Sequence, residues 1–374
     1  MNRYNRRRFL RLAAELGLAL TTSQLLLSAP ACKSPKVSGT TSSPGTAPAP
    51  RPTRVSAVLG HDLDAMVREA LEPLGGMAAI VSEGDTVFIK PNFAAFSGWV
   101  PDNNTITNGQ CTKPEIVLAV ADECLKAGAS KVIIGEAGQD LACRWEVGVT
   151  LDGRTDIVEG VSELNAKYGR KVSLEGLNNS TPRWVFVPSR TEFGQIAVSS
   201  LVIDADKVIS VPVLKTHHGC AVTLSIKNFM GVTPIWLYGS PRMRLHECDM
   251  GVDQCFLDVV KGIQPDLAII DASIGAEGNA PGVGPGEGRT VDVADRLGAW
   301  LILAGTDLLA VDSTATRIIG HDPQYVKHLR EGFAQEMGEM REEYIELVGP
   351  SLADLRMDWE PSSKSGYPQL EATG

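Results

Sequence analysis

The sequence lacks the closely spaced cysteine pairs that hold metal clusters. None of its seven cysteines belongs to a CxxC motif, the spacing shared by zinc knuckles and ferredoxin-type iron–sulfur sites. We therefore expect neither kind of site. Cys248 and Cys255 could form a disulfide in an oxidising compartment, but two buried free thiols would explain them equally well.

The sequence also lacks the glycine motifs of nucleotide-binding loops. Residues 273–289 contain six glycines and two prolines, yet they include no GK[ST] triplet and no GxGxxG spacing between a strand and a helix. These glycines would let the backbone approach a ligand closely, and the peptide N–H groups could bind an anion. An ordinary surface loop is the alternative.

An excess of positive charge and a long apolar run are absent as well. The net charge is −10, which argues against a broad nucleic-acid-binding face, so local cations must meet any bound anion. The apolar stretch 12–27 is interrupted by Glu15 and by the polar run 21–24. A transmembrane helix needs about 20 strongly apolar residues, so we expect no membrane-spanning anchor.

The N-terminus carries an export signal instead. Residues 6–11, RRRFLR, match the Arg-Arg-x-Phe-Leu-basic pattern that the twin-arginine export machinery reads. We predict a signal peptide over residues 1–31, ending at the small residues Ala29 and Ala31. Cys32 follows, where a lipoprotein carries its lipid, although simple secretion with an unmodified Cys32 is the alternative. Either way we expect a periplasmic or other extracytoplasmic protein that touches the membrane only through Cys32.

The rest of the chain is predicted to form an α/β domain over residues 55–350. It follows a Ser/Pro/Thr-rich segment, 32–54, that predicts a disordered tether, and it precedes a C-terminal tail, 351–374. Apolar β-branched segments alternate with helical periodicity, which favours a mainly parallel or mixed sheet flanked by helices, with a small subdomain left open. The predicted strands lie at 85–92, 131–136, 184–187, 195–198, 208–211, 267–271 and 301–305, and the predicted helices at 62–74, 112–125, 155–168, 252–263 and 307–318.

Lysines follow two of these strands in an unusually apolar setting. One strand ends at Pro212 and leads into the segment KTHHGCAVTLSIKN, and another ends in Lys90-Pro91-Asn92. A buried amine is costly unless an anion meets it, so we predict one anion site shared between strand ends. A lysine whose stem lies over the strand end, with its amine in water, is the alternative for Lys90. The predicted ligand-binding residues are Lys90, Asn92, Lys227, Asn228, Glu136 and Asn279.

Two further roles are assigned from residue type. We predict that His217 or His246 moves a proton, because imidazoles titrate near neutral pH. Lys215 is assigned to the catalytic residues, and its amine is expected to converge with those of Lys90 and Lys227 on one anion. Carboxylates at Asp271, Glu277 and Asp312 could hold a divalent metal that bridges to the ligand. A zinc site combining His217, His218, Cys220, His246 and Cys248 is a further reading, but its spacing fits no standard zinc pattern.

Seven segments in order resemble the exported members of the domain of unknown function 362 family. Together they extend the resemblance over residues 55–350, and the KTH and KN-x-x-G elements make it specific. Some members of that family look like iron–sulfur proteins because they carry a ferredoxin-type cysteine repeat, which this chain lacks. The resemblance therefore implies a domain identity and no reaction. The segments are VFIKPN (87–92), TKPEIV (112–117), VIIGE (132–136), VPVLKTH (211–217), VTLSIKNFMG (222–231), IIDASIGAEGNAP (269–281) and AGTDLLAVDSTATRIIG (304–320).

Three functions remain open from the sequence. The first is an exported enzyme with a Lys/His/Asn site for an anionic small molecule, with or without a divalent metal. The second is a metal-dependent or iron–sulfur-associated redox protein, since the twin-arginine route exports proteins already folded around a cofactor. The third is a solute-binding lipoprotein that captures its ligand without turnover. The cofactor, the substrate and the reaction are not determined by the sequence.

Overall fold

The apolar β-branched segments form one mixed sheet of eleven strands and a separate two-stranded hairpin in the computed structural model, which describes residues 52–93, 107–139, 141–240, 242–278 and 288–362. The strands are β1 Thr53–Gly60, β2 Thr86–Pro91, β3 Lys131–Glu136, β4 Val172–Gly176, β5 Trp184–Pro188, β6 Gln195–Ser199, β7 Lys207–Val211, β8 Val213–His217, β9 Ala221–Thr223, β10 Leu267–Glu277, β11 Arg289–Asp292, β12 Trp300–Gly305 and β13 Ile345–Val348. The helices are α1 Leu63–Leu71, α2 Pro114–Lys126, α3 Ile157–Tyr168, α4 Leu177–Ser180, α5 Ser200–Ile203, α6 Ser225–Asn228, α7 Ile235–Tyr238, α8 Met243–His246, α9 Val252–Ile263, α10 Ala294–Leu297, α11 Leu308–Ile318, α12 Lys327–Ala334 and α13 Leu352–Leu355.

The sheet has a parallel half and a mixed half. Its strand order is β13-β1-β12-β10-β7-β2-β3-β4, and the neighbours from β10 to β4 are parallel. β12 lies antiparallel between β10 and β1. Because parallel strands present their carboxyl ends at one edge, β2, β3 and β7 all deliver the residues that follow them to the same place.

Both faces of the sheet are buried, which explains the continuous apolar runs of its strands. Successive side chains of a strand point to opposite faces. Accordingly, Phe88 and Ile133 pack in one cluster with α9 and α11, whereas Val87, Ile89 and Ile134 pack in the other with α1, α2 and α3. The α/β fold predicted from the sequence is confirmed. The β5–β6 hairpin belongs to the same compact unit, which begins at Pro52.

Most predicted elements are present within a residue or two of their expected bounds. The start of α2 is an exception, because Lys113 and not Thr112 is the N-cap and no side chain caps the helix. Thr112 instead donates from Oγ1 to the carbonyl of Val211 (2.7 Å), and the Lys113 N–H donates to Asp271 (2.8 Å). Tertiary contacts therefore take the place of a side-chain cap at the start of this helix.

Two segments that follow predicted strand ends are themselves strands. The chain resumes as β8 immediately after Pro212, so Lys215 lies within a strand. β10 continues past Asp271 to Glu277, because β11 pairs with its last four residues. The predicted end of that strand at Asp271 is wrong, and part of the expected glycine-rich loop is regular structure.

The folded domain extends beyond the predicted boundary at residue 350. Trp359 is fully buried, and its N–H donates to the carbonyl of Ile319 (2.9 Å). The Glu360 N–H donates to Glu277 (2.8 Å). Residues 352–362 therefore complete the core, because they cover β10 and the end of α11. Among the described residues, no helix combines the length and apolarity needed to cross a membrane.

Candidate functional site

A cavity of about 230 Å³ lies at the carboxyl ends of β2 and β3. Open α/β sheets place their ligands at this edge. The cavity combines residues from the two strand ends with residues from β8, β9, α6 and α8. Its lining residues are Lys90, Asn92, Glu136, Gly138, Gln139, His217, His218, Thr223, Lys227, Asn228, Met230, Gly231, Arg242, Met243 and His246.

Lys90 and Glu136 form a buried ion pair at the floor of this cavity. Nζ of Lys90 lies 2.7 Å from Oε2 of Glu136, and the two side chains are 1% and 2% exposed. The same Nζ donates to the carbonyl of Pro91 (2.6 Å). Glu136 also accepts from the N–H groups of Phe93 (2.9 Å) and Gly138 (3.1 Å). Burial lowers the pKa of Lys90, although the carboxylate opposes that effect.

Asn228 joins α6 to the end of β2. Its Nδ2 donates to the carbonyl of Lys90 (2.7 Å) and to Oγ of Ser210 (3.1 Å), and its Oδ1 accepts from Nζ of Lys90 (3.4 Å). The amide is thus engaged with protein partners and positions Lys90. Asn92 is 6% exposed, and among the described residues its Oδ1 has no hydrogen-bond partner.

Asp312 fixes the short helix that carries Lys227. The carboxylate lies on α11 and accepts from the N–H groups of Ser225 and Ile226, both at 2.9 Å. Burial raises the pKa of Asp312 to about 6, and these two hydrogen bonds oppose the shift. Nζ of Lys227 has one hydrogen bond within the described part of the chain, to Oγ1 of Thr223 at 3.4 Å.

Arg242 is a buried cation without a carboxylate contact in the described residues. Its guanidinium donates to the carbonyls of Thr233 (2.9 and 3.1 Å) and Gly138 (2.7 Å). Burial lowers its pKa to about 10. The backbone at Arg242 has φ +70°, a left-handed conformation that costs roughly 1–3 kcal/mol in a non-glycine residue. These hydrogen bonds hold the strained residue against the cavity wall.

Two neutral histidines face the same cavity. Burial, followed by the nearby Lys227 charge, lowers the pKa of His217 well below its ordinary value and that of His246 to about 4. Nδ1 of His217 accepts from the Gly219 N–H (3.1 Å), so the proton of the neutral ring lies on Nε2. His217 also stacks on His218, with ring centroids 4.6 Å apart. His217 is therefore arranged as a hydrogen-bond donor toward a ligand.

The cavity brings together most of the predicted site residues. Lys215 is an exception, because it lies on β8 behind the cavity wall and donates to the carbonyl of Gln110 (2.7 Å). Burial lowers its pKa to about 8. Asn279 lies outside the described residues. The predicted residues that line the cavity are Lys90, Asn92, Glu136, His217, Lys227, Asn228 and His246.

The three predicted metal-binding acids are engaged elsewhere. Asp271 pairs with Lys113 at 3.3 Å, Glu277 pairs with Arg289 at 3.1 Å, and Asp312 binds the start of α6. Among the residues that the structure describes, no group of three or more His, Cys, Asp or Glu side chains is placed to share a metal ion. Cys248 and Cys255 are free thiols, with their sulfurs 3.5 Å apart.

Sequence reasoning did not assign Arg242 to the site, and it placed His218 only in the alternative zinc site. Arg242 lies in a polar segment, and the structure buries it to 5% exposure. The one sequence feature that could have linked Arg242 to the site is its position four residues before His246. Three cations and one carboxylate line the cavity within the described residues, so its formal charge is positive.

The stability of the protein should depend on His246 between pH 4 and pH 6.5. The unfolded imidazole gains a proton below about pH 6.5, whereas the folded one does so near pH 4. Across this window the unfolded state binds more protons, so unfolding free energy falls as pH falls. Asp312 acts with the opposite sign over part of the same range. We therefore compare wild type with His246→Gln.

Urea unfolding at pH 7 and pH 5 measures the effect of His246. We expect wild type to lose about 1–2 kcal/mol more than His246→Gln between these values. Taking the difference between the two proteins removes the contribution of Asp312, which is common to both. Equal losses in wild type and variant would mean that the His246 pKa is not lowered by folding.

Comparison with known proteins relates the chain to one family. The model of the family described as "Domain of unknown function (DUF362)" matches residues 87–317, which span every cavity residue. Thylakoid-associated protein sll1697 of Synechocystis sp. is 29% identical over 286 residues, which is 76% of this chain and 78% of that protein. The sequence similarity therefore includes the whole candidate site.

Two solved structures show weaker similarity. The lactate racemase apoprotein from Thermoanaerobacterium thermosaccharolyticum gives a TM-score of 0.38 at 11% identity over 72% of this chain. A protein from Thermotoga maritima gives a TM-score of 0.34 at 11% identity over 62% of this chain. The chain spans 57% and 55% of the length of these two proteins.

Proposed function

This chain belongs to the domain of unknown function 362 family, and on that premise we propose that the cavity at the ends of β2 and β3 binds a small anionic molecule for proton-transfer chemistry. The observation that carries the proposal is the charge imbalance of the lining. Among the described residues, Lys90, Lys227 and Arg242 face the same cavity as a single carboxylate, Glu136. A cation in a partly buried site is stabilised when an anion replaces its lost hydration.

Lys227 is the residue that would contact the anion most directly. Glu136 already neutralises Lys90 at 2.7 Å, and backbone carbonyls hold Arg242. Within the described part of the chain, the one hydrogen bond of Lys227 is the 3.4 Å contact with Thr223. The Nε2–H of His217 supplies a second donor for the same ligand. Lys90 and Arg242 then add positive potential, which a cavity with low-dielectric walls strengthens.

His246 is the residue that we assign as proton acceptor. Its low pKa keeps the ring neutral near pH 7, and a neutral imidazole can take a proton from a bound molecule. His217 is less suited to this role, because its Nδ1 already accepts from Gly219. The two histidines therefore support different roles, with His217 orienting the ligand and His246 moving the proton.

Thermal unfolding in the presence of inorganic phosphate and malonate tests the anion site. We expect both anions to raise the unfolding temperature of wild type beyond an equal ionic strength of chloride. Lys227→Met should weaken phosphate affinity at least about tenfold, which corresponds to ~1.4 kcal/mol. The matched control is Lys131→Met, because Lys131 is exposed at the opposite end of β3 and carries the same charge.

The outcomes of this titration separate binding from catalysis. An equal phosphate shift in Lys227→Met and Lys131→Met would remove Lys227 from the site, and no shift with either anion in wild type would remove the proposed function. A His246→Gln variant that keeps full phosphate affinity supports its assignment to proton transfer. If that variant loses affinity, His246 binds the ligand, and the solute-binding role considered from the sequence is favoured.

Export through the twin-arginine route is a separate proposal that rests on residues 6–11 alone. Replacing Arg6 and Arg7 by lysine should retain the protein in the cytoplasm, as measured by fractionation of cells that express the full chain. Mass spectrometry of the mature N-terminus would then distinguish a lipid on Cys32 from an unmodified cysteine. Unchanged export of the double-lysine variant would contradict the proposal.

A further inference from the structure

Lys227 differs from the other lysines at this edge of the sheet in its lack of strong partners. Lys90 contacts Glu136, Pro91 and Asn228. Lys215 donates to Gln110 at 2.7 Å and does not line the cavity. Lys227 lines the cavity and has, among the described residues, one weak hydrogen bond of 3.4 Å. Its amine is therefore the one best placed to react with a cavity ligand.

The surroundings of Lys227 increase the unprotonated fraction of its amine. Burial lowers its pKa, and the nearby Arg242 charge acts in the same direction, whereas Cys220 and Asp253 oppose the shift. A lysine becomes a nucleophile when desolvation or a neighbouring cation lowers its pKa. The imidazoles of His217 and His246 line the same cavity and supply the groups that proton movement at an amine requires.

We propose that Lys227 is a nucleophile that forms an imine with the carbonyl carbon of an anionic aldehyde or ketone bound in the cavity. This inference rests on the proposed anion-binding function and names the chemical class of its ligand. The inference rests on two observations, the single weak hydrogen bond of the Lys227 Nζ among the described residues and the cationic residues that line the cavity. The positive groups would hold the anionic part of the molecule while its carbonyl lies against Nζ.

The reaction needs no oxidant, reductant or further reactant. The lone pair of Nζ forms a bond to the carbonyl carbon, and the electron pair of the C=O π bond moves to oxygen, which accepts a hydrogen bond from the Nε2–H of His217. His246 takes one proton from the new ammonium nitrogen and returns it to this oxygen, which gives a neutral carbinolamine. His246 then takes the remaining N–H proton and delivers it to the hydroxyl group, which leaves as water as the C=N bond forms. The two protons of the amine end on the water molecule.

Reductive trapping with pyridoxal 5′-phosphate tests the inference, because this probe carries both an aldehyde and a phosphate. Full-length wild type is incubated with the probe, reduced with borohydride, and mapped by peptide mass spectrometry. We expect the adduct on Lys227. The comparison residue is Lys126, whose pKa is raised by Asp122 and Glu123. Because each pKa unit changes the unprotonated fraction about tenfold, we expect at least about tenfold more label on Lys227.

Variants and competition with phosphate test whether the adduct forms specifically at Lys227 in the cavity. Lys227→Arg should lose the adduct, because a guanidinium group does not form an imine with the probe. Lys215→Arg should keep the adduct on Lys227. Inorganic phosphate should compete with the probe at Lys227 and leave labelling of Lys126 unchanged.

The results distinguish this inference from the proposed function on which it rests. A phosphate shift in wild type without an adduct on Lys227 overturns the imine and leaves anion binding intact. Equal labelling of Lys227 and Lys126 also overturns it. An adduct on Lys227 that phosphate does not displace, in a protein whose unfolding temperature phosphate does not change, would support the nucleophile and contradict the anion site.

Discussion

Replacing Gly231 by alanine is expected to lower the free energy of unfolding by about 3–5 kcal/mol and to abolish phosphate binding. A methyl group built on Gly231 would lie 2.6 Å from Nζ and 2.7 Å from Cε of Lys90, and closer still to Oε1 of Glu136. The backbone has little freedom to retreat, because the Gly231 carbonyl accepts from Ala137 at 2.8 Å. The methyl group must therefore separate a buried ion pair, and loss of such a pair costs about this amount.

Gly219→Ala is the matched control for this substitution. It adds the same methyl group next to the cavity, but the nearest atoms belong to the His217 ring at 3.8 Å, an ordinary van der Waals distance. Its N–H can still donate to His217. We expect the free energy of unfolding of this variant, measured in urea, to stay within about 0.5 kcal/mol of the wild-type value. If Gly231→Ala unfolds at the same midpoint as Gly219→Ala, the Lys90–Glu136 pair tolerates displacement and does not organise the site.

The strands that carry the site were predictable because their signal is local. Thr86–Pro91 and Lys131–Glu136 are continuous apolar β-branched runs, as expected for strands buried on both faces. The polar residue at the end of each run, Lys90 or Glu136, then identified the edge where a ligand would bind. The repeated Lys-containing pattern predicted that several strand ends share one site. Lys90 and Lys227 do line the same cavity.

The misplaced elements depend on pairing between distant segments. Pro212 does end β7, as predicted, but the chain resumes at once because β8 pairs with β9 and β10. Asp271 resembled a strand end, yet β10 continues past it because β11 supplies a partner for its last residues. Strand propensity is weak compared with such tertiary contacts. A single sequence contains no local record of them, so Lys215 was expected after the end of a strand and not within one.

The partners inside the site were beyond prediction for the same reason. Glu136 is 46 residues from Lys90, and Asn228 is 138 residues from it. Each residue type suggested a ligand contact when considered alone. The structure instead uses Glu136 and Asn228 to hold Lys90. Of the two lysines that line the cavity, Lys227 therefore has fewer hydrogen-bond partners among the described residues, and this difference is why the proposed chemistry is assigned to Lys227.

Replacing Lys90 by methionine is expected to be as damaging as Gly231→Ala, with a loss of about 3–5 kcal/mol in urea unfolding. Methionine fills a similar volume, so the cost comes from charge and not from a void. Glu136 is 2% exposed and would remain buried without its cation. The variant also loses the hydrogen bond from Nζ to the Pro91 carbonyl.

The double variant Lys90→Met/Glu136→Gln separates this charge effect from local repacking. A glutamine amide is neutral and keeps an oxygen that can accept from Phe93 or Gly138, as Glu136 does. We therefore expect the double variant to recover at least half of the stability lost by Lys90→Met, because no charge remains unpaired in the core. Glu136→Gln alone should be destabilised, since it leaves Lys90 buried without a carboxylate. Additive losses across this cycle would show that the two residues contribute independently, and the buried pair would then not be the feature that sets the shape of the cavity.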